Sequence, residues 1–214
     1  MNLADLILYA AYASLVIEMT VFPIPSEASV YQLLTEQRNE AGGDALARAR
    51  SHSRLRKVLS FFVPTAFGVL LFVLPLLVRM GVPGTEFANI AIPPALTGAG
   101  IGLVLLGRSI TFASVLQLRA QKRQGGGPPG GLFTWSRNPG LVGMYTMYLG
   151  LCCLHPHWLM WIGFPIYVAN MTGRVRLEEA NLLARHGESW QRYAAVVPRY
   201  LGKRARSNAH IPHG

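Results

Sequence analysis

Polar and apolar positions along the chain separate into long blocks rather than into short amphipathic periods. From Val58 to Val78 no ionisable residue occurs over 21 positions, and from Phe87 to Gly107 there is again none over 21. Apart from Arg108 the second block stays apolar to Leu118. From Asn138 to Gly173 no Asp, Glu, Lys or Arg occurs over 36 positions. A membrane helix needs about 20 mostly apolar residues, so the last block is too long for one ordinary span. His155-Pro156-His157 lies in its middle, a helix breaker between two polar rings. The pattern therefore predicts a hairpin of two short spans, about 140–154 and 157–172. Leu3 to about Phe22 is a fifth, weaker span, interrupted by Asp5 and Glu18. It lacks the basic n-region and small-residue cleavage site of a removable signal peptide. The expected fold class is an all-α integral membrane protein of about five transmembrane helices, ending in a helical hairpin and a cytoplasmic amphipathic helix. It divides, within one domain, into 1–57 (first helix and loop), 58–118 (two spans) and 119–214 (the half that carries the candidate chemistry).

Composition agrees with these blocks. Half of the 214 residues (51%) are hydrophobic, 14% are charged, and the mean hydropathy is +0.29. Soluble domains carry about 25% charged residues. The long uncharged runs exclude an ordinary soluble domain and a soluble nucleic-acid binder, even at a net charge of +10. Of the 20 Lys and Arg residues, 18 lie in three segments, 21–57, 119–137 and the tail from Arg174. With five spans these segments share one face. The positive-inside rule makes that face cytoplasmic, with the N-terminus outside and the C-terminus inside.

Three cytoplasmic pieces follow. Loop 26–57 contains a helix expected over Ala28–Glu40, a Gly42-Gly43 break and a basic end suited to anionic headgroups. Residues 124–131, Gln-Gly-Gly-Gly-Pro-Pro-Gly-Gly, cannot form regular helix. From about Arg174 an amphipathic helix carries Glu178 and Glu179, Gly187 ends it, and Tyr193–Tyr200 forms a second short element. Cys152 and Cys153 read as small apolar filler. His155 and His157 read as an interfacial turn, with no metal-ligand spacing. Gly98-Ala-Gly-Ile-Gly102 lies inside an apolar span, where glycines serve close helix packing.

Two motifs carry chemical content: Gly131-Leu-Phe-Thr-Trp-Ser-Arg-Asn-Pro-Gly-Leu-Val-Gly143, and Glu178-Glu-Ala-Asn-Leu-Leu-Ala-Arg-His-Gly187-Glu-Ser-Trp-Gln-Arg-Tyr193-Ala-Ala-Val-Val-Pro198-Arg199. Separated by a membrane hairpin, they resemble the membrane methyltransferase superfamily of isoprenylcysteine carboxyl methyltransferases and phosphatidylethanolamine N-methyltransferases. The likeness covers about 131–200. Asn138 stands where many relatives carry His, and bacterial members often carry Asn, so a bacterial inner membrane is the expected location. Leu141 occupies the usual Tyr position, with Tyr145 one helical turn later. Leu132 replaces a usual Pro, and Val196 stands where relatives often carry a basic residue.

The resemblance implies S-adenosyl-L-methionine as cofactor, bound by Gly131, Arg137, Asn138, Pro139, Leu141, Gly143, Glu178 and Glu179, with Glu179 and Arg199 as catalytic candidates. Arg137 suits the cofactor carboxylate, and either glutamate suits its cationic groups. Gly131, Pro139 and Gly143 would let backbone approach adenine and ribose, and Arg199 would serve the acceptor. The implied partners are membrane lipids and a hydrophobic, lipid-like acceptor bearing a carboxylate, amine or thiol. A phospholipid N-methyltransferase is the alternative within the class. A non-catalytic membrane binding protein and an NADPH-dependent membrane reductase are the alternatives outside it, the reductase being disfavoured by the short chain.

Overall fold

The computed structural model describes residues 3–21, 53–57, 59, 62–88, 93–123 and 130–202. The helix expected over Ala28–Glu40 and most of the glycine-rich loop lie outside these residues. The described elements are helices α1 (Leu3–Val21), α2 (Arg54–Lys57), α3 (Val63–Arg79), α4 (Pro94–Arg123), α5 (Pro139–Leu154), α6 (Trp158–His186) and α7 (Glu188–Val196), with short 3-10 turns at Glu86–Ala88 and Gly131–Thr134. Among the described residues there is no strand. The all-helical expectation therefore stands. One helix, over Pro94–Ala120, is long and apolar enough to cross a membrane, and Val63–Arg79 and Pro139–Leu154 are shorter apolar helices.

Proline and glycine set the boundaries. Pro139 opens α5 at a position whose N–H would have no helical partner anyway. His155-Pro156-His157 ends α5 and turns the chain, and the His157 ring accepts a hydrogen bond from the Leu159 N–H at 3.3 Å to start α6. Gly187, at φ +51°, ends α6, and Val197-Pro198 ends α7. The expected hairpin is present, with one difference. No break occurs near Arg174: α6 runs unbroken from Trp158 to His186, so the apolar segment and the charged amphipathic segment are one helix. The change from apolar to charged residues at 173–174 is a polarity boundary, and the helix continues through it in spite of the weak helix former Gly173.

The closest packing is between antiparallel α4 and α5, along a glycine seam. A Cβ at Gly107 would lie 2.5 Å from the carbonyl oxygen of Gly143, and one at Gly143 would lie 2.6 Å from that of Gly107. One at Gly150 would lie 2.7 Å from the Val104 nitrogen, and one at Gly100 would strike Leu154. Gly98 and Gly102 have open space around them, so only the middle glycine of Gly98-Ala-Gly-Ile-Gly102 enters the seam.

Around the seam an aromatic ladder joins the other helices. Tyr12 of α1 donates to the Phe72 carbonyl of α3. Phe72 meets Tyr148 of α5 at 5.7 Å between centroids, and Tyr148 stacks on Tyr167 of α6 at 5.4 Å. The outer surface is apolar. Val16 and Ile17 of α1, Val69 and Leu70 of α3, Leu105 and Leu106 of α4, and Trp161 and Ile162 of α6 are all exposed. Contiguous apolar exposure of this kind marks a surface that contacts lipid or a partner rather than water.

Gly143→Val tests the seam. Overpacking against backbone is expected to destabilise the bundle by about 1–3 kcal/mol or more, read as a lower melting temperature in detergent. Gly98→Ala, with nothing within 4 Å, is expected to leave melting unchanged.

Candidate functional site

At the end of the bundle where α5 begins and α6 continues past the hairpin, four segments converge. The 3-10 turn Gly131–Thr134 is anchored to α4: the Leu132 N–H donates to the Gln117 side-chain oxygen at 2.9 Å. Gly131 adopts φ +61°, and a Cβ there would lie 2.7 Å from the same Gln117 amide, so this turn requires glycine. The segment Val197–Tyr200 then crosses the start of α5 as a strap. The Arg137 N–H donates to the Pro198 carbonyl at 2.9 Å. The Arg199 carbonyl accepts from Ser136 Oγ at 3.2 Å and Asn138 Nδ2 at 3.1 Å. Tyr193 of α7 donates to the Phe133 carbonyl at 2.8 Å.

Three charges meet beneath this strap. Glu179 of α6 accepts from Arg199 through one oxygen, at 3.0 Å from Nε and 2.5 Å from Nη2. Its other oxygen, Oε1, lies 3.5 Å from Arg137 Nη2, outside ordinary hydrogen-bond range. Glu179 and the Arg137 side chain are largely buried, at 12% and 13% exposure, whereas Arg199 is partly open. Arg137 Nε and Glu179 Oε1 are both buried without a hydrogen-bond partner among the described residues. The cluster thus leaves one arginine donor and one carboxylate acceptor unsatisfied, with a formal charge of +1.

Glu179's hydrogen bond holds the Arg199 guanidinium above the usual arginine range. Burial pushes the Tyr193 phenol up to about 12, and the nearby Arg137 charge opposes that rise. Burial lowers Arg174, against the opposing charge of Glu178.

The two adjacent glutamates therefore separate. Glu179 enters the cluster, while Glu178 interacts with Arg174 one turn earlier on the same helix. A step of 100° per residue produces this split. Arg199 is held by Glu179 rather than standing apart for an acceptor. Asn138 and Pro139 fasten the strap and open α5. Gly143 lies in the α4–α5 seam with its Cα face covered by Gly107 and Thr111, so the open backbone approach expected there is closed by packing. Leu141 is half-buried on α5. Tyr145 reaches the strap, with its hydroxyl 3.3 Å from that of Tyr200, which lies 2.9 Å from Thr172 Oγ1.

Sequence reasoning missed Gln117 and Ser136. Gln117 is the residue of α4 whose side chain meets the glycine turn, and Ser136 is buried directly before Arg137. Comparisons with protein-family models, curated proteins and solved structures give no match for this chain.

Glu179→Ala leaves two arginines facing each other in a largely buried place. Removing one partner of such a cluster is expected to destabilise the protein by roughly 3–5 kcal/mol, measured by thermal melting in detergent. Tyr193 gives a pH signature. Its folded-state pKa lies above the unfolded value of 10.0, so the unfolded phenol ionises first. Its stabilising contribution is complete below pH 10 and is lost as pH rises towards about 12. Tyr193→Phe is expected to flatten that alkaline decline while losing about 1 kcal/mol of stability at neutral pH from the hydrogen bond to Phe133.

Proposed function

We propose that the chain is an integral-membrane, S-adenosylmethionine-dependent methyltransferase, isoprenylcysteine carboxyl methyltransferase-like, acting on a lipid-like or hydrophobic acceptor. The observation that carries the proposal is the meeting of Arg137, Glu179 and Arg199, contributed by two motifs separated by the helical hairpin. The resemblance pairs these same motifs. In the proposed arrangement α1, α3, α4, α5 and the apolar part of α6 are five spans. The site then lies at the cytoplasmic face of a bacterial inner membrane, with the N-terminus outside.

The donor set fits the cofactor. An α-amino acid is a zwitterion, and the cluster offers one open arginine donor beside one open carboxylate acceptor. Arg137 would hold the carboxylate of S-adenosylmethionine, and Glu179 its ammonium. When bound, the cofactor supplies a methyl group already activated on a sulfonium. Arg199 fixes the Glu179 carboxylate through its second oxygen and is a positioning residue. Tyr193, Asn138 and Ser136 hold the strap closed over the cluster and exclude water from it.

The charge favours one acceptor class. An amine acceptor must lose a proton to a nearby base. Here Glu179 already faces two arginines and Glu178 faces Arg174, so neither carboxylate is suited to that work. A carboxylate or thiolate acceptor is anionic from the start and needs no such base. This supports ester or thioether formation over phospholipid N-methylation.

Titration of the detergent-solubilised protein with labelled S-adenosylmethionine is expected to show saturable binding. Loss of one charge-assisted hydrogen bond at about 1.5–3 kcal/mol implies a weakening of roughly 10- to 100-fold for Arg137→Ala and for Glu179→Gln. No binding at millimolar cofactor overturns the proposal, and unchanged affinity in both variants moves the site elsewhere. Label transferred from the methyl group into a membrane lipid extract is expected to be released by mild base, as from a methyl ester, or to survive as a thioether. Recovery in methylated phospholipid amines favours the alternative.

A further inference from the structure

A second charged group lies away from the cluster. Arg108 of α4 is 9% exposed and Glu18 of α1 is 8% exposed. Arg108 Nη2 donates to Glu18 Oε2 at 2.6 Å, and its Nε donates to Ser14 Oγ at 2.9 Å. The third nitrogen, Nη1, is buried and has no hydrogen-bond partner among the described residues. The hydroxyl of Ser14 is committed to the Ala11 carbonyl at 2.8 Å. Beside the pair opens a groove of about 350 Å³, lined by Ser14, Ile17, Glu18, Arg108, Ser109 and Phe112. Ile17 and Phe112, on its two helices, are exposed apolar walls.

A simple staple between α1 and α4 would require only the ion pair. It would not require a buried donor left without an acceptor, nor a groove of ligand size next to it. Ionisable groups placed among apolar spans mark binding or transport sites by default, because burying them is costly. The open atom is a donor, so the ligand must bring an acceptor. Glu18 already neutralises Arg108. A second anion would give up its hydration, receive little net attraction and lie near the Glu18 carboxylate. A cationic head group would face the guanidinium. An uncharged oxygen meets neither penalty and completes the Arg108 hydrogen bonds. The apolar walls suit a hydrocarbon chain.

We propose that this groove binds an uncharged amphiphile whose head group presents a carbonyl or hydroxyl oxygen to Arg108 Nη1, with its chain along Ile17 and Phe112. The site is independent of the Arg137–Glu179–Arg199 cluster and does not rest on methyl transfer.

The test uses the full chain in an alkylphosphocholine detergent, whose head group is charged and carries no carbonyl or hydroxyl, with a monoacylglycerol bearing a photoactivatable diazirine near its own head group. Cross-links mapped by mass spectrometry are expected on the peptides of α1 and α4 that carry Ile17 and Phe112. Excess unlabelled monoacylglycerol is expected to reduce them at least tenfold, and a fatty acid or alkylammonium of equal chain length is not. Ser109→Trp fills the groove without touching the ion pair, and is expected to abolish labelling with an unchanged melting temperature. The double variant Arg108→Met, Glu18→Met removes the donor without stranding a charge, and is expected to lose labelling by a similar factor. Labelling that is absent from the groove, or that survives Ser109→Trp, overturns the site. Equal competition by the fatty acid or the alkylammonium overturns the ligand class. Unchanged labelling in a folded double variant overturns the role of Arg108.

Discussion

The backbone-to-backbone contact of α4 with α5 fixes where every charged group can lie. Gly100, Gly107, Gly143 and Gly150 let the two helices approach until carbonyl oxygens meet Cα faces. A pair of helices held this closely cannot slide, since each glycine fits only against its own partner. The seam thereby sets the level of Pro139 on α4, beside Ser114, whose Oγ lies 3.0 Å from a Cβ built on Gly140. Arg137 precedes Pro139 by two residues and inherits that level. The tight turn at His155–His157 returns α6 along α5 at 1.5 Å per residue. Glu179 then emerges just past the start of α5, where Arg137 waits.

The same constraint explains the division of charge. Two cations, Arg79 and Arg108, lie outside the three basic segments. Both find their partners on α1, Arg79 with Asp5 at 3.4 Å and Arg108 with Glu18 at 2.6 Å. Asp5 and Glu18 are the two acids that interrupt the first apolar run. They are 13 residues apart, about 20 Å along a helix, so together they fix the axial position of α1 against α3 and α4. What reads as a weakness in this apolar run is what attaches α1 to the bundle.

Much of the fold was legible because proline and polarity act locally. The hairpin followed from His155-Pro156-His157, with α5 ending at Leu154 and α6 beginning at Trp158, close to the expected limits. The continuity of α6 was not legible, because a switch from apolar to charged residues at Gly173, a weak helix former, looks like an element boundary although the helix runs through it. The Arg108–Glu18 pair was not legible either. Its members are 90 residues apart, and an isolated charge in an apolar run does not announce its partner. At the cluster, the two motifs could be paired through their resemblance to a known family. Choosing Glu179 over Glu178 required the helix phase. Placing Gly143 in the seam required knowing which face of α5 meets α4.

The position of Glu179 also changes what a glutamate among bases can do. In an overwhelmingly basic chain, a carboxylate at this end of the bundle reads as an attractor of cations. In place it is neutralised by Arg199 through one oxygen, and only the other remains open beside Arg137. A lone carboxylate would bind any cation and leave an accompanying anion unserved. In the proposed site, a carboxylate flanked by two arginines, each held by a different segment, would favour instead a ligand carrying both signs at neighbouring atoms. Attraction of either sign alone is offset by the opposite charge a few ångströms away. Selectivity in that proposal would follow from the geometry that the strap and the seam impose rather than from net charge. The strap would then be as much a part of the recognition as the charges it covers.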